Sequence, residues 1–218
     1  MSSNFIAALA GSRLYPITDK KISGLSHAEQ VKQLADRGAT VIQLREKLDS
    51  PRNFLREAEA ALGVAWTKGV KIIINDRADI ALALGAGVHL GQDDLNPTAA
   101  RRLLGPDAII GLSTHNLNQV QQALKFPIDY IAIGPIFTTS TKESPNHPIG
   151  LEQLAAVAHL VGRMPLVAIG GITLETAASV IEKGATACSI IRDLWLDHEQ
   201  NPKKWASLWI PASQSSGF

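Results

Sequence analysis

A chain of 218 residues with 45% hydrophobic residues is long for an average domain but ordinary for an α/β barrel, and it can bury a sizeable core. Aromatics make up only 5%, so that core must be built mainly from Ala, Leu, Ile and Val. The formal net charge is +1, with Lys and Arg spread along the chain rather than blocked. That excludes an extended nucleic-acid or membrane surface and leaves local basic clusters as the places where phosphate would bind.

Residues 1–13 hold a short apolar patch with no basic start before it, which makes a poor signal peptide. No apolar run approaches the roughly 18 residues needed to span a bilayer, so a cytoplasmic location is expected. Cys188 is the single cysteine and lies in the apolar run 185–191, where it reads as a small buried hydrophobe. A disulfide within the chain is excluded, which fits a reducing compartment.

From residue 14 onward a short apolar run, a loop and a longer amphipathic segment alternate. Strands are predicted at 14–18, 40–44, 71–74, 87–90, 109–112, 130–133, 166–169 and 187–191. These runs are nearly continuous in apolar character, as in strands covered on both faces of a parallel sheet.

The helices between them carry end signals. Ser26 and Glu29 form a capping box before Val31, Leu34 and Ala35, with Gly38 closing the segment. Pro51 after Ser50 and Pro97 after Asn96 are first-turn prolines, and Gly105 stops the second of these helices. Thr173 is placed to cap 174–183, which ends at Gly184. Eight such alternations predict a single (β/α)8 TIM barrel over residues 1–210, with a disordered tail at 211–218.

Barrel enzymes act at the C-terminal ends of their strands. Polar residues gather there in six consecutive clusters: Gln43-Leu44-Arg45-Glu46-Lys47, Asn75-Asp76-Arg77, His89 to Asp94, Ser113-Thr114-His115, the run Thr138-Thr139-Ser140-Thr141-Lys142, and Gly170-Gly171. Asp76 and Asp94 follow neighbouring strands and could share one Mg²⁺, which takes few carboxylates and keeps positions for phosphate and water. Helix capping or pairing with Arg77 explains Asp76 equally well, and Asp93 competes with Asp94.

Arg45, Lys47 and Lys142 have the chemistry of phosphate ligands, although each could be a solvated loop charge. Gly170-Gly171 before a helix lets backbone amides approach an anion. His89 reads as a core histidine, whereas His115 is ambiguous. No acidic partner completes a Ser–His triad and no Cys/His metal spacing is present, which disfavours hydrolase chemistry. Trp195, Trp205 and Trp209 read as packing of the last helix.

Taken together, Gln43 to Lys47, Ile74 to Asp76, Gly87 to Asp94, Asp129 to Lys142 and Ala168 to Thr173 resemble the thiamine phosphate synthase family, in order, over about Leu14 to Trp195. The resemblance implies a transferase that joins hydroxymethylpyrimidine diphosphate to a hydroxyethyl-thiazole phosphate and releases diphosphate. It implies that Gln43, Arg45, Lys47, Asn75, Ser113 and Lys142 hold the pyrimidine diphosphate, and that Leu44, Glu46 and Ser140 also belong to the substrate-binding set. On the same grounds Asp76 and Asp94 hold Mg²⁺, and Thr139, Thr141, Gly171 and the Ile191-Arg192 backbone receive the thiazole phosphate. Arg45, Lys47, Ser113 and Lys142 would be the catalytic set.

The implied reaction needs a stabilised leaving diphosphate and two reactants held face to face, but no strong general base. The chain departs from the family pattern at Thr138, often Pro, at Arg192, usually Ser, and over 143–148. Arg192 either adds a charge contact to the phosphate or turns outward. Two rival readings stay open. One is a thiazole tautomerase on the same fold, favoured by His115; the other is a non-catalytic phosphate-ligand sensor. A homo-oligomer is compatible with either.

Overall fold

The computed structural model describes residues 2–139 and 147–195. An N-terminal helix α1 (Ser2–Ser12) precedes β1 (Leu14–Thr18), and the short α2 (Lys20–Ser23) and α3 (His27–Ala35) lead to β2 (Val41–Leu44). Then follow α4 (Pro51–Lys68), β3 (Lys71–Asn75), α5 (Ala78–Leu84), β4 (Gly87–Leu90), α6 (Pro97–Leu104), β5 (Ile110–Thr114), α7 (Leu117–Ala123) and β6 (Tyr130–Ile133). The described chain ends with α8 (Gly150–Val161), β7 (Leu166–Ile169), α9 (Leu174–Glu182), β8 (Ala187–Ile190) and α10 (Arg192–Trp195).

All eight strands are parallel and close in sequence order, β1 pairing with β8 through Leu14 opposite Cys188 and Tyr15 opposite Ser189. The (β/α)8 expectation is thus met, with strand ends differing by at most a residue or two. The call of a tail at 211–218 lies outside the described residues, as do Trp205 and Trp209. No described helix is long and apolar enough to cross a membrane.

Alternation along each strand sorts the side chains. Outward residues such as Ile42, Leu44, Ile72, Ile74, Val88 and Leu90 pack under the helices in one continuous layer. Leu34 of α3 and Phe54, Ala58, Ala61 and Ala65 of α4 meet them there; the α4 set recurs every three or four positions and so forms one face. Local signals set the helix ends. Ser50 accepts from the Asn53 N–H ahead of Pro51, and Gly69 ends α4 in the left-handed region at φ 67°. The Ser26–Glu29 capping box forms as expected. Cys188 faces this outer layer, where burial pushes its thiol up to about 12 and leaves it a protonated apolar group.

Inward residues form a second cluster containing Tyr15, Ile17, Val41, Ile73, Tyr130, Ala132, Val167 and Ala187. The apolar patch near the N-terminus belongs here. It forms α1, whose Phe5 and Leu9 are fully buried against the barrel interior. Phe5 packs on the Tyr130 ring with centroids 5.4 Å apart, and the Thr40 hydroxyl donates to the Ala8 carbonyl at 2.9 Å, which ties the helix to the barrel. Among the described residues neither α1 nor the short α2 was predicted by the strand-and-helix periodicity; for α1, one turn of apolar residues carries too little pattern.

Removing the Phe5 side chain leaves a hole beneath Tyr130. Phe5→Ala is expected to lower the unfolding free energy by about 3–5 kcal/mol. Urea denaturation measures this, and a change below about 1 kcal/mol would show that α1 does not seal the barrel.

Candidate active site

A cavity of about 340 Å³ opens at the C-terminal ends of the strands. Its floor carries Tyr15, Gln43, Asn75, His89, Ser113 and Ser189, one polar residue from each of β1, β2, β3, β4, β5 and β8. Strand alternation explains the choice, since Gln43 turns inward while Leu44 beside it is fully buried in the outer layer. Leu44 can therefore offer a ligand only its backbone. Two floor atoms, Asn75 Nδ2 and Ser189 Oγ, are buried without a hydrogen-bond partner. Such atoms cost free energy unless a ligand or water satisfies them, so they mark the floor as a recognition surface.

The wall on one side is built from glycines. Gly170 and Gly171 stand at φ 99° and 65°, and a Cβ on either would collide with Pro135, Phe137 or Thr138. Only glycine allows the turn after β7 to lie this close against the loop after β6, just ahead of α9. Thr138, Thr139, Thr173, Ile191, Arg192 and Asp193 line the same end. That is where an anion would sit.

Arg45 lines the opposite side, Lys47, Asp76 and Asp94 lie beyond the lining on the loops after β2, β3 and β4, and the cations of this end are held by acids. Arg45 Nη1 donates to Asp19 Oδ2 at 2.8 Å. Lys47 Nζ is ion-paired with Asp76 Oδ2. Asp76 adopts φ 63°, a left-handed conformation that few non-glycine residues take and that tends to mark functional positions. Arg77 pairs with Asp79, so the alternative of an Asp76–Arg77 pair is not what forms. Asp76 does not cap α5 either, since Arg77 occupies that position.

Asp94 Oδ2 accepts from the Gly91 N–H at 2.6 Å. Loss of hydration raises its carboxyl above the ordinary value, and the neighbouring Asp76 carboxylate raises it further against the pull of that N–H. Two carboxylates that repel each other, with one ammonium beside them, fit a hard divalent cation. Among the described residues no third His, Cys, Asp or Glu joins them. The set therefore suits an ion that keeps water or phosphate oxygens in its other positions.

Glu46 lies outside the cavity lining. Its Oε1 accepts from the N–H groups of Lys47, Leu48 and Asp49 at 2.8, 2.8 and 3.3 Å, so it shapes the loop that carries Lys47. Ser140, Thr141 and Lys142 lie outside the described residues. His115 lines the cavity and its Nδ1 is 2.6 Å from the Gly134 carbonyl. A carbonyl only accepts, so Nδ1 carries the proton and Nε2 is the free lone pair of the neutral ring. Periodicity and motif spacing had not singled out Tyr15, Asp19, Tyr130 or Ser189. The only available signal was that polar groups interrupt apolar strands.

One support for the rim lies beneath it. His27 of α3 is fully buried, with Nδ1 2.7 Å from Thr18 Oγ1, and that hydroxyl also accepts the Arg45 N–H at 3.4 Å. His27 Nε2 has no hydrogen-bond partner, and Glu46 Oε2 lies 3.8 Å away. Burial lowers the His27 pKa below its ordinary 6.5, with Glu46 opposing. Below that pH the unfolded chain takes up a proton that the folded chain resists. The stability is therefore whole above about pH 6.5 and is lost as the pH falls toward the depressed folded value. The urea midpoint should drop below pH 6.5 in the parent and drop less in His27→Gln, and equal pH slopes in the two proteins would contradict this.

A family model described as thiamine monophosphate synthase matches residues 14–194. A thiamine-phosphate synthase of Koribacter versatilis is 44% identical over 204 residues, covering 90% of this chain and 95% of the relative. One from Chlorobium phaeovibrioides is 47% identical over 176 residues, covering 80% and 82%. Among solved structures, a thiamine phosphate pyrophosphorylase from Pyrococcus furiosus superposes with a TM-score of 0.81 at 30% identity, covering 92% of this chain and 95% of that one.

Proposed function

The chain belongs to the thiamine monophosphate synthase family, and we propose that it joins hydroxymethylpyrimidine diphosphate to hydroxyethyl-thiazole phosphate, or its carboxylated form, giving thiamine phosphate and diphosphate. The observation that carries the reading is the division of one cavity into two anion-binding ends. Arg45 lines one end, with Lys47, Asp76 and Asp94 on the loops after β2, β3 and β4 beyond that lining, and the Gly170-Gly171 turn with Thr173 ahead of α9 lines the other. Two phosphorylated reactants need such a division.

In this reading the aminopyrimidine ring lies on the polar floor of Gln43, Asn75 and Ser113, with its diphosphate toward Arg45 and Lys47. The bond from the ring methylene to the diphosphate oxygen breaks, and the electron pair leaves with diphosphate. The electron-rich ring spreads the resulting positive charge, and the thiazole nitrogen lone pair forms the new C–N bond. Arg45 and Lys47 neutralise the departing charge, Arg45 through a fork that Asp19 already orients. Lys142 joins them in this proposal. The Gly171 amide, Thr139, Ser140, Thr141 and the Ile191-Arg192 backbone hold the thiazole phosphate and so keep the nitrogen facing the ring.

Asp76 and Asp94 would hold Mg²⁺. When bound, the ion screens and orients the diphosphate oxygens. Lys47, paired with Asp76 in this structure, provides the positive charge at that carboxylate. Retention of the charged rim argues against the thiazole tautomerase, which has no diphosphate to bind. His115, with its Nε2 lone pair, is the residue that would serve such an isomerase.

The deciding experiment supplies both substrates and Mg²⁺ and follows thiamine phosphate by thiochrome fluorescence. Asp76→Asn is the informative variant, because Asn tolerates the left-handed backbone at this position whereas Ala would add strain. The parent should make product. The variant should lose at least about 100-fold in kcat/KM and need more Mg²⁺ for half-activation. A folded parent with no product under these conditions rejects the synthase reading, and an Asp76→Asn variant with parental Mg²⁺ dependence rejects the metal site.

A further inference from the structure

Along the cavity floor and just beneath it, five side chains from five strands are joined end to end. Gln43 Nε2 donates to Tyr15 Oη at 3.1 Å, and Tyr15 Oη is 2.6 Å from Tyr130 Oη. Tyr130 Oη is 2.9 Å from His89 Nδ1, and His89 Nε2 is 2.8 Å from Ser113 Oγ. Both ends, Gln43 and Ser113, line the cavity. The two phenols are at most 1% exposed. Burial raises the pKa of each, so both keep their protons.

The chain is sealed from below and fitted from the side. Phe5 covers the Tyr130 ring. Gly111 of β5 leaves the space for that ring, because a Cβ there would overlap its tip.

Proton counting gives this chain a direction. Each phenol has one proton and the neutral imidazole has one. With Gln43 donating to Tyr15, the Tyr15 proton goes to Tyr130 and the Tyr130 proton goes to His89 Nδ1. His89 must then carry its proton on Nε2 and donate to Ser113 Oγ. That leaves the Ser113 proton, the Gln43 carbonyl oxygen and the second Gln43 N–H for a ligand. Reversing one link reverses all of them.

We propose that the Tyr15–Tyr130–His89 chain is a positioning device that couples Gln43 to Ser113, so that the cavity floor presents an acceptor at Gln43 and a donor at Ser113 as a linked pair. The matching ligand is a ring with an exocyclic amine to donate and a ring nitrogen to accept, as an aminopyrimidine has. That ligand assignment rests on the function proposed above, whereas the chain itself does not. His89, Tyr15 and Tyr130 act through their neighbours.

The test begins on the full chain without substrate. Nitrogen NMR of the labelled histidines should show His89 as the Nε2–H tautomer in the parent. In Tyr130→Phe the Nδ1 partner is gone, and the fixed tautomer should give way to a mixture. Tyr15→Phe cuts the chain one link away and serves if Tyr130→Phe does not fold. With substrates, Gln43→Ala and Ser113→Ala should be non-additive in kcat/KM by at least about threefold in the parent and additive when Tyr130 is Phe.

A parental Nδ1–H tautomer would overturn the proposal. So would a folded Tyr130→Phe or Tyr15→Phe protein that keeps both the tautomer and the non-additivity. An inactive parent with the Nε2–H tautomer would reject the synthase reading while leaving the chain's polarity established.

Discussion

Closing eight parallel strands into a barrel leaves no free sheet edge and divides every strand's side chains between an outer layer under helices and a narrow interior. The interior is too small for large side chains from all strands at the same height. Tyr15 and Tyr130 fill the middle, small residues such as Gly111 and Ala132 make room for them, and α1 plugs the bottom with Phe5 and Leu9. The polar atoms of the two tyrosines cannot reach water from there. They must pair with each other and with the next inward groups, and those groups are Gln43 and His89. The packing of the barrel and the polarity of its floor are therefore one problem with one solution.

The rim follows a different rule. Its cations face partly open space, where single ion pairs add little stability. Asp19 on Arg45 and Asp76 on Lys47 act chiefly to aim those side chains. Glu46 works on the backbone, drawing three successive N–H groups into a turn that presents Lys47. The residue Gln43-Leu44-Arg45-Glu46-Lys47 run is thus divided by geometry into a floor residue, a core residue, a rim cation, a loop former and a second rim cation.

Much of the fold was legible before any coordinate. Buried parallel strands read as continuous apolar runs, and caps such as Ser26, Pro51 and Gly105 act within a few residues of themselves. The clustering of polar residues after the strands pointed to the right end of the barrel for the same reason, since the strand direction is set by chain order. Less legible was the N-terminal helix, whose stability comes from the barrel it covers rather than from its own pattern. Also hidden was the difference between Leu44 and Gln43, which depends on register and not on composition.

The sequence by itself determined the number and order of the elements, the positions of the helix ends, and the residues available at the catalytic end, because those depend on local propensity and on a period of two or 3.6. Tertiary structure decided the rest. Tyr15 and Tyr130 are 115 residues apart in the chain, and nothing local brings their hydroxyls to 2.6 Å. Only closure of the barrel does. The same closure sets Asp76 beside Lys47 and Asp94, leaves Asn75 Nδ2 and Ser189 Oγ facing the cavity unpaired, and gives the His89 ring its two partners. Long-range hydrogen bonds and like-charge contacts are properties of distance, and distance between remote residues exists only once the chain has folded.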